Sequence, residues 1–351
     1  METETLSTLG EIALDGGLMF LLMIGSFAPA ILLTFIVYQV DLNREPLSRV
    51  ALAFVIGVIS PLITLELSNY TMALPTLTDH HPFVRALLSA AIPEELGRLA
   101  LLGYLCHSWR AVDEPFDCVV YASAIWLGFS AIETSLYASI GVESNFQAIL
   151  IMSSRASLCA IGHLSYGIII ASYLAVALYA NRGFWPWILR GLMISIFLHT
   201  LYDGLLFSLQ DFGGSWKLGA AIVADGLTMI LALLFLMKLS KIQQISHDVG
   251  GDHEKQARLI ARHAPDRELT LNELLGHFGL KGLLKVCLVL FLTSVFVMTI
   301  LLFLSTWEFP YLAIVLIVGT TCNATWKSIL KDTRRLHHNL PQIELPPKHI
   351  S

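Results

Sequence analysis

The chain has 351 residues, 55% hydrophobic and only 14% charged, where a soluble domain carries roughly 25%. Many of the charges crowd into residues 239–285 and 327–351, and the rest of the chain is too apolar to clothe a water-facing surface. This excludes a soluble globular enzyme, a nucleic-acid binder and a disordered protein; the net charge of −5 says little, because in an all-α polytopic membrane protein the placement of Lys and Arg matters more than their sum.

A bilayer core takes about 20 mostly apolar residues per helix. Such runs fall at 17–39, 50–67, 84–105, 118–140, 155–180, 187–208, 218–238, 285–307 and 309–328, predicting nine spans. Met1–Gly16 lacks a basic n-region and does not read as a cleaved signal peptide. The second run is short, and 145–154 either dips into the membrane or lies on it. The predicted organisation is a seven-span core over 17–238, a cytoplasmic polar insert over 239–284, a two-span hairpin over 285–328 and a tail over 329–351. Within the insert, Glu254–His263 suits a charged amphipathic helix, and Thr270-Leu271-Asn272-Glu273 fits a capping box.

Basic residues set the orientation. Arg44, Arg49, Arg110, Arg182, Arg190 and the insert's Lys241, Lys255, Arg258, Arg262, Arg267 and Lys281 all sit on one set of connections. The opposite connections hold only Lys217. By the positive-inside rule the N-terminus is outside, and the tail, with Lys331, Arg334 and Arg335, is cytoplasmic. Cys106, Cys118, Cys159, Cys287 and Cys322 show no CxxC spacing and read as buried free thiols.

A charge at mid-bilayer costs at least about 2.5–3.5 kcal/mol and usually faces a cavity. Here such groups recur: Glu94, Glu95 and Arg98 in the third span, Glu133 in the fourth, His163 in the fifth, His199 and Asp203 in the sixth, Asp225 in the seventh. With a rise of 1.5 Å per residue, Glu94, Glu133, His163 and His199 lie roughly 10–15 Å from the outer ends of their spans. One shared layer predicts one polar site. His199 and Asp203, four apart, share a helix face; so do Glu94 and Arg98. Glu94 and Glu95 diverge by about 100°, so that one can face a cavity while the other pairs with Arg98. Pro93 removes a helix hydrogen bond at the site.

Imidazoles with carboxylates suit zinc, and a catalytic zinc keeps a position for water. A carboxylate beside that water serves as general base, and peptide hydrolysis is the natural reaction. A metal-free route also exists, in which glutamate activates water and His199 helps hold the oxyanion.

Glu94-Glu95-x-x-Arg98, Phe129-x-x-x-Glu133, His163-x-x-x-Gly167 and His199-x-x-x-Asp203, in this order on consecutive helices, resemble the PrsW family of intramembrane proteases. That family shares a superfamily with the CAAX prenyl-protein endopeptidases. The resemblance covers roughly residues 20–240 and implies a metallopeptidase-like enzyme of the bacterial inner membrane acting on a membrane-anchored protein; the family's best-known member cuts an anti-sigma factor. It implies essential roles for Glu94, Glu95 and His199, with Glu133, His163 and Asp203 completing the site. The family's usual Glu-Glu-x-x-Lys becomes Glu-Glu-x-x-Arg here.

The expected assignment is therefore Glu94 as the residue activating water, with Glu95, Glu133 and His199 in the catalytic set. His163, His199, Glu133 and Asp203 are the expected zinc ligands, and Arg98 a structural ion pair. Tyr166, Ser165 and Thr200 read as ordinary interhelical hydrogen-bonders, Gly128, Gly162 and Gly167 as close-packing positions, and Asp79-His80-His81 as a solvated outer loop. Two other classes compete. An aspartyl protease would pair Asp203 with Asp225, but lacks the expected Gly-x-Gly before Asp225 and leaves both histidines unexplained. A proton- or ion-coupled transporter, or a silent scaffold, would also carry membrane carboxylates. Soluble-type zinc proteases are excluded, since no His-Glu-x-x-His occurs.

Overall fold

A computed structural model describes residues 16–249, apart from 42, 73–80, 110, 111, 113, 141, 143, 180–183 and 215. The insert beyond 249, the two last expected spans, the tail, Asp79, His80, Cys287 and Cys322 lie outside the described residues. Everything regular among the described residues is helical.

In chain order, α1 (Gly16–Val40), α2 (Leu47–Ile59), α3 (Pro61–Met72), α4 (Pro82–Ala86), α5 (Ile92–Trp109), α6 (Asp117–Ser139), α7 (Asn145–Ser154), α8 (Ala160–Tyr179), α9 (Phe184–Phe212) and α10 (Trp216–Val249) follow one another. Two π-helical turns, Leu87–Ala91 and Arg155–Cys159, join α4 to α5 and α7 to α8. Among the described residues, six rods are long and apolar enough to cross a membrane: 16–40, 47–71, 117–139, 145–179, 184–212 and 216–237. The rod from Pro82 to Trp109 corresponds to the third expected span and owes its lower hydropathy to Glu94, Glu95 and Arg98.

Three boundaries differ from those expected. The second span is not short, because α3 continues α2 after Ser60; Pro61 is tolerated at a helix start, where its missing N–H would be unsatisfied anyway. The fifth begins at Asn145, with the Ser144 hydroxyl capping the Gln147 N–H at 3.1 Å. And α10 runs past 238 to Val249, ahead of the Gly250-Gly251 pair.

The bundle is organised around α6, which is buried along most of its length against α1, α2, α5 and α8. Lipid tails are as apolar as leucine, so close packing between helices, not escape from water, holds such rods together. Glycines make it possible here: a Cβ at Gly57 would sit 2.1 Å from the Ile125 carbonyl oxygen, and one at Gly128 would sit 2.2 Å from that of Phe54. Around this centre, α1, α2, α9 and α10 turn Phe20, Phe35, Leu52, Phe197 and Leu227 outwards, as rods facing hydrocarbon do. At one end, Gly213 and Gly214 turn the chain from α9 into α10 with φ of +66° and +96°, angles that disfavour other residues. His81, expected in a loop, caps α4: its Nδ1 accepts from the Phe83 N–H at 3.4 Å.

Candidate active site

Pro93 has no N–H and cannot bond back to the preceding turn. The helix answers with the π-helical turn at Leu87–Ala91, and α3 supplies the missing donors: the Ser68 hydroxyl reaches the Ser89 carbonyl at 2.8 Å, and the Thr71 hydroxyl that of Leu88. A π turn re-registers the helix beyond it, and the first ionisable residues it presents are Glu94 and Glu95.

The two glutamates have different surroundings. Glu95 is enclosed: Oε1 accepts from Arg98 Nη2 at 2.8 Å and meets His199 Nδ1 at 3.0 Å, while Oε2 accepts from Trp126 Nε1 at 2.9 Å. Its side chain is 0% exposed, against 12% for Glu94, so water reaches Glu94 and not Glu95. Arg98 holds both. Its Nη2 lies 3.1 Å from Glu94 Oε2, its Nε donates to the Glu94 carbonyl at 3.0 Å, its Nη1 donates to His163 Nδ1 at 2.7 Å, and its guanidinium lies 4.2 Å from the Phe129 ring centre. The expected ion pair is thus a hub serving three helices, α5, α6 and α8.

From α8, His163 presents Nε2 to Glu133 Oε2 at 3.0 Å. The same oxygen receives Nη2 of Arg155 at 2.8 Å, from the first residue of the second π-helical turn. From α9, His199 Nε2 lies 3.2 Å from Asp203 Oδ2 and 3.8 Å from Glu94 Oε2. The Tyr166 ring stacks on His199, centres 4.9 Å apart. All six acidic and imidazole groups expected at the site thus come together from α5, α6, α8 and α9, with Glu95, Arg98, His163 and His199 forming a buried floor.

Glu94, Glu133 and His163 bring one ligand atom each within 4.8 Å of one another, a donor set of the kind zinc takes. His199 and Asp203, also expected as ligands, pair with each other beside that trio. A second trio, Asp41, Glu114 and Asp117, is all oxygen and belongs to the other end of α6, about 24 Å from Glu133 by helical rise.

Residues 45–237 match the family described as PrsW family intramembrane metalloprotease. The chain belongs to the PrsW family. Proteins named Protease PrsW are similar to it: that of Geobacillus kaustophilus is 29% identical over 56% of this chain and 84% of its own length. Those of Halalkalibacterium halodurans and Bacillus subtilis are 26% and 28% identical, over 54% and 55% of this chain and 84% and 86% of theirs. No solved structure matches. Membership in the PrsW family makes the chain an intramembrane protease and not a transporter.

Around this PrsW site the disfavoured aspartyl dyad does not form among the described residues, while three expected hydrogen-bonders depart from expectation. Asp225 packs beside Gly162, whose added Cβ would lie 2.6 Å from its Oδ1, and Asp203 is engaged by His199, so the two aspartates form no dyad hydrogen bond among the described residues. Ser165 bonds back to the Ile161 carbonyl at 2.7 Å instead of bridging helices, and Tyr166 acts through its ring: its hydroxyl, like that of Thr200, has no hydrogen-bond partner among the described residues. Arg155 and Trp126 received no role from the sequence. Arg155 is the first residue of the fifth expected span, 155–180, so it read as a boundary; the rule that exposed the others, a charge within an apolar run, reaches it once the span begins at Asn145.

Proposed function

We propose that this PrsW-family protease hydrolyses a peptide bond of a membrane-anchored protein, such as an anti-sigma factor, with Glu94 activating the water. The observation that carries this reading is the contrast between the two adjacent glutamates: one walled in by three donors, the other open to solvent and within reach of His199 and Arg98.

In this mechanism Glu94 takes a proton from water as it attacks the peptide carbonyl. Glu95 orients His199 through Nδ1, leaving Nε2 to face Asp203 and the carboxylate of Glu94, where it can relay the proton towards the leaving amine. Arg98 keeps the Glu94 carboxylate aimed. Glu133 and His163 close the opposite side of the water site. If zinc binds, Glu94, Glu133 and His163 would hold it only with the Arg98–His163 contact broken, since a ligating Nε2 leaves the imidazole hydrogen on Nδ1. It would supply a water with a pKa lowered towards about 7, and Glu94 would then be a ligand and not the base. The bacterial relatives support an inner-membrane location, and the basic connections favour an N-terminus outside; on that reading the cut falls near the extracytoplasmic end of the substrate helix.

Purified wild-type protein, Glu94→Gln and His199→Ala are to be compared on a single-span membrane substrate in liposomes. Cleavage lost in both variants, with unchanged expression and melting, supports the reading; cleavage retained by Glu94→Gln rejects it. Metal content, measured on wild type against His163→Ala, separates the two routes: stoichiometric zinc lost in the variant assigns the metal route.

A further inference from the structure

Two guanidiniums enter this site, and only one of them is spent. Arg98 is fully buried, and its nitrogens serve Glu94, Glu95 and His163. Arg155 approaches from the other side. Its Nη2 meets Glu133 Oε2 at 2.8 Å, its guanidinium lies 4.0 Å from the ring centre of Tyr137, one turn along α6, and its side chain is 19% exposed. A guanidinium carries five N–H donors and no acceptor. Its Nε is buried with no hydrogen-bond partner among the described residues.

An arginine inside a membrane-spanning rod is expensive unless it does something there. Pairing with Glu133 alone explains its charge but not its position. Glu133 already has a donor in His163, on the same oxygen. Arg155 also belongs to the open side of the site, with Glu94, Glu133 and Asp203, whereas Arg98 is part of the buried floor. The π-helical turn that begins at Arg155 repeats the device that sets Glu94 and Glu95 at the head of α5, and such turns recur at functional sites.

We propose that Arg155 is a further catalytic residue, whose guanidinium binds the carbonyl oxygen of the scissile peptide bond and stabilises the oxyanion formed there. The inference rests on the reading of Glu94 as the base. Water gives its proton to Glu94 as its oxygen bonds to the carbonyl carbon, and the carbonyl π pair moves to oxygen, where the N–H groups of Arg155 hold the negative charge. On collapse that pair re-forms the carbonyl, the C–N bond breaks, and the proton held by Glu94 passes to the departing amine. Glu133 and Tyr137 fix the guanidinium before substrate arrives, which is the preorganisation that makes such donors effective.

The test uses full-length protein in liposomes and a fluorogenic single-span peptide. Arg155→Met is expected to lower kcat by about 10²–10³, the range for loss of an oxyanion donor, with KM within about twofold of wild type. Arg155→Lys is expected to fall between the two. Added methylguanidinium is expected to restore at least about tenfold of the kcat lost in Arg155→Ala, which a folding defect would not allow. The proposal is overturned if Arg155→Met keeps kcat within about threefold of wild type, or if its loss resides in KM or melting alone and methylguanidinium restores nothing. It is also overturned if Arg155→Met costs nothing further in a Glu133→Gln background, since the arginine would then act only by holding Glu133. Equal cleavage by wild type and Glu94→Gln would instead remove the base on which the proposal rests, a separate failure.

Discussion

Arg98 Nη1 lies 2.7 Å from His163 Nδ1, and that contact selects how the imidazole works. A guanidinium only donates, so Nδ1 accepts, and a neutral His163 carries its hydrogen on Nε2, towards Glu133 Oε2 at 3.0 Å. Arg98→Lys keeps a positive charge near both glutamates but cannot also span to His163. The expected result is near-normal melting with kcat reduced about tenfold or more. Arg98→Ala leaves two carboxylates without their cation and is expected to cost about 3–5 kcal/mol in stability. Thermal melts beside cleavage rates distinguish the two variants.

Glu94→Gln and Glu95→Gln change the same atoms one position apart and are expected to fail differently. Glu94→Gln removes a base from the wet side, so turnover should drop by about 10²–10⁴ while melting stays close to wild type. Glu95→Gln places amide hydrogens against one of its donors, Arg98 or Trp126, in a fully buried pocket, which should lower stability by about 1–3 kcal/mol as well as activity. Equal melting curves for the two variants would contradict the division between floor and rim.

Spacing along single helices made part of this site legible. Glu94 with Arg98, and His199 with Asp203, sit four apart, and both contacts are present. The common depth of Glu94, Glu133, His163 and His199 foretold that they would meet, because a charge in hydrocarbon must find a partner. What spacing could not supply was the pairing between helices. Trp126 with Glu95, Arg155 with Glu133 and Tyr166 with His199 depend on helix rotation, and two π-helical turns reset that rotation inside the spans. Pro93 advertised an irregularity at one of them; no proline or glycine lies within Arg155–Cys159 to advertise the other.

The first of these turns gives a further prediction. Ser68 and Thr71 donate to carbonyls that Pro93 cannot serve, so Ser68→Ala and Thr71→Val should each destabilise by about 1–3 kcal/mol, the cost of an unmet buried acceptor. Pro93→Ala restores an N–H able to reach Ser89. Ser68→Ala should then cost less in the Pro93→Ala background than in wild type, a coupling of about 0.5–3 kcal/mol in a double-mutant cycle. Additive melting shifts would show that α3 does not cap this turn.

Gly128 and Gly103 contrast two glycines of the bundle. A methyl group at Gly103 meets nothing within 4 Å, so Gly103→Ala should gain up to about 1 kcal/mol from helix propensity alone. At Gly128 the same methyl group would lie 2.2 Å from the backbone oxygen of Phe54 and 3.1 Å from the backbone nitrogen of Val58. No side chain can rotate to relieve that contact, so α2 and α6 must separate. Trp126 and Glu133 flank Gly128 on α6 and reach the site from opposite sides, through Glu95 and through His163. Gly128→Ala should therefore lower melting by about 1–3 kcal/mol, as overpacking does, and lower kcat with it. Gly128→Ala with wild-type melting and turnover would mean that α2 does not press on α6 as closely as the glycine contact requires.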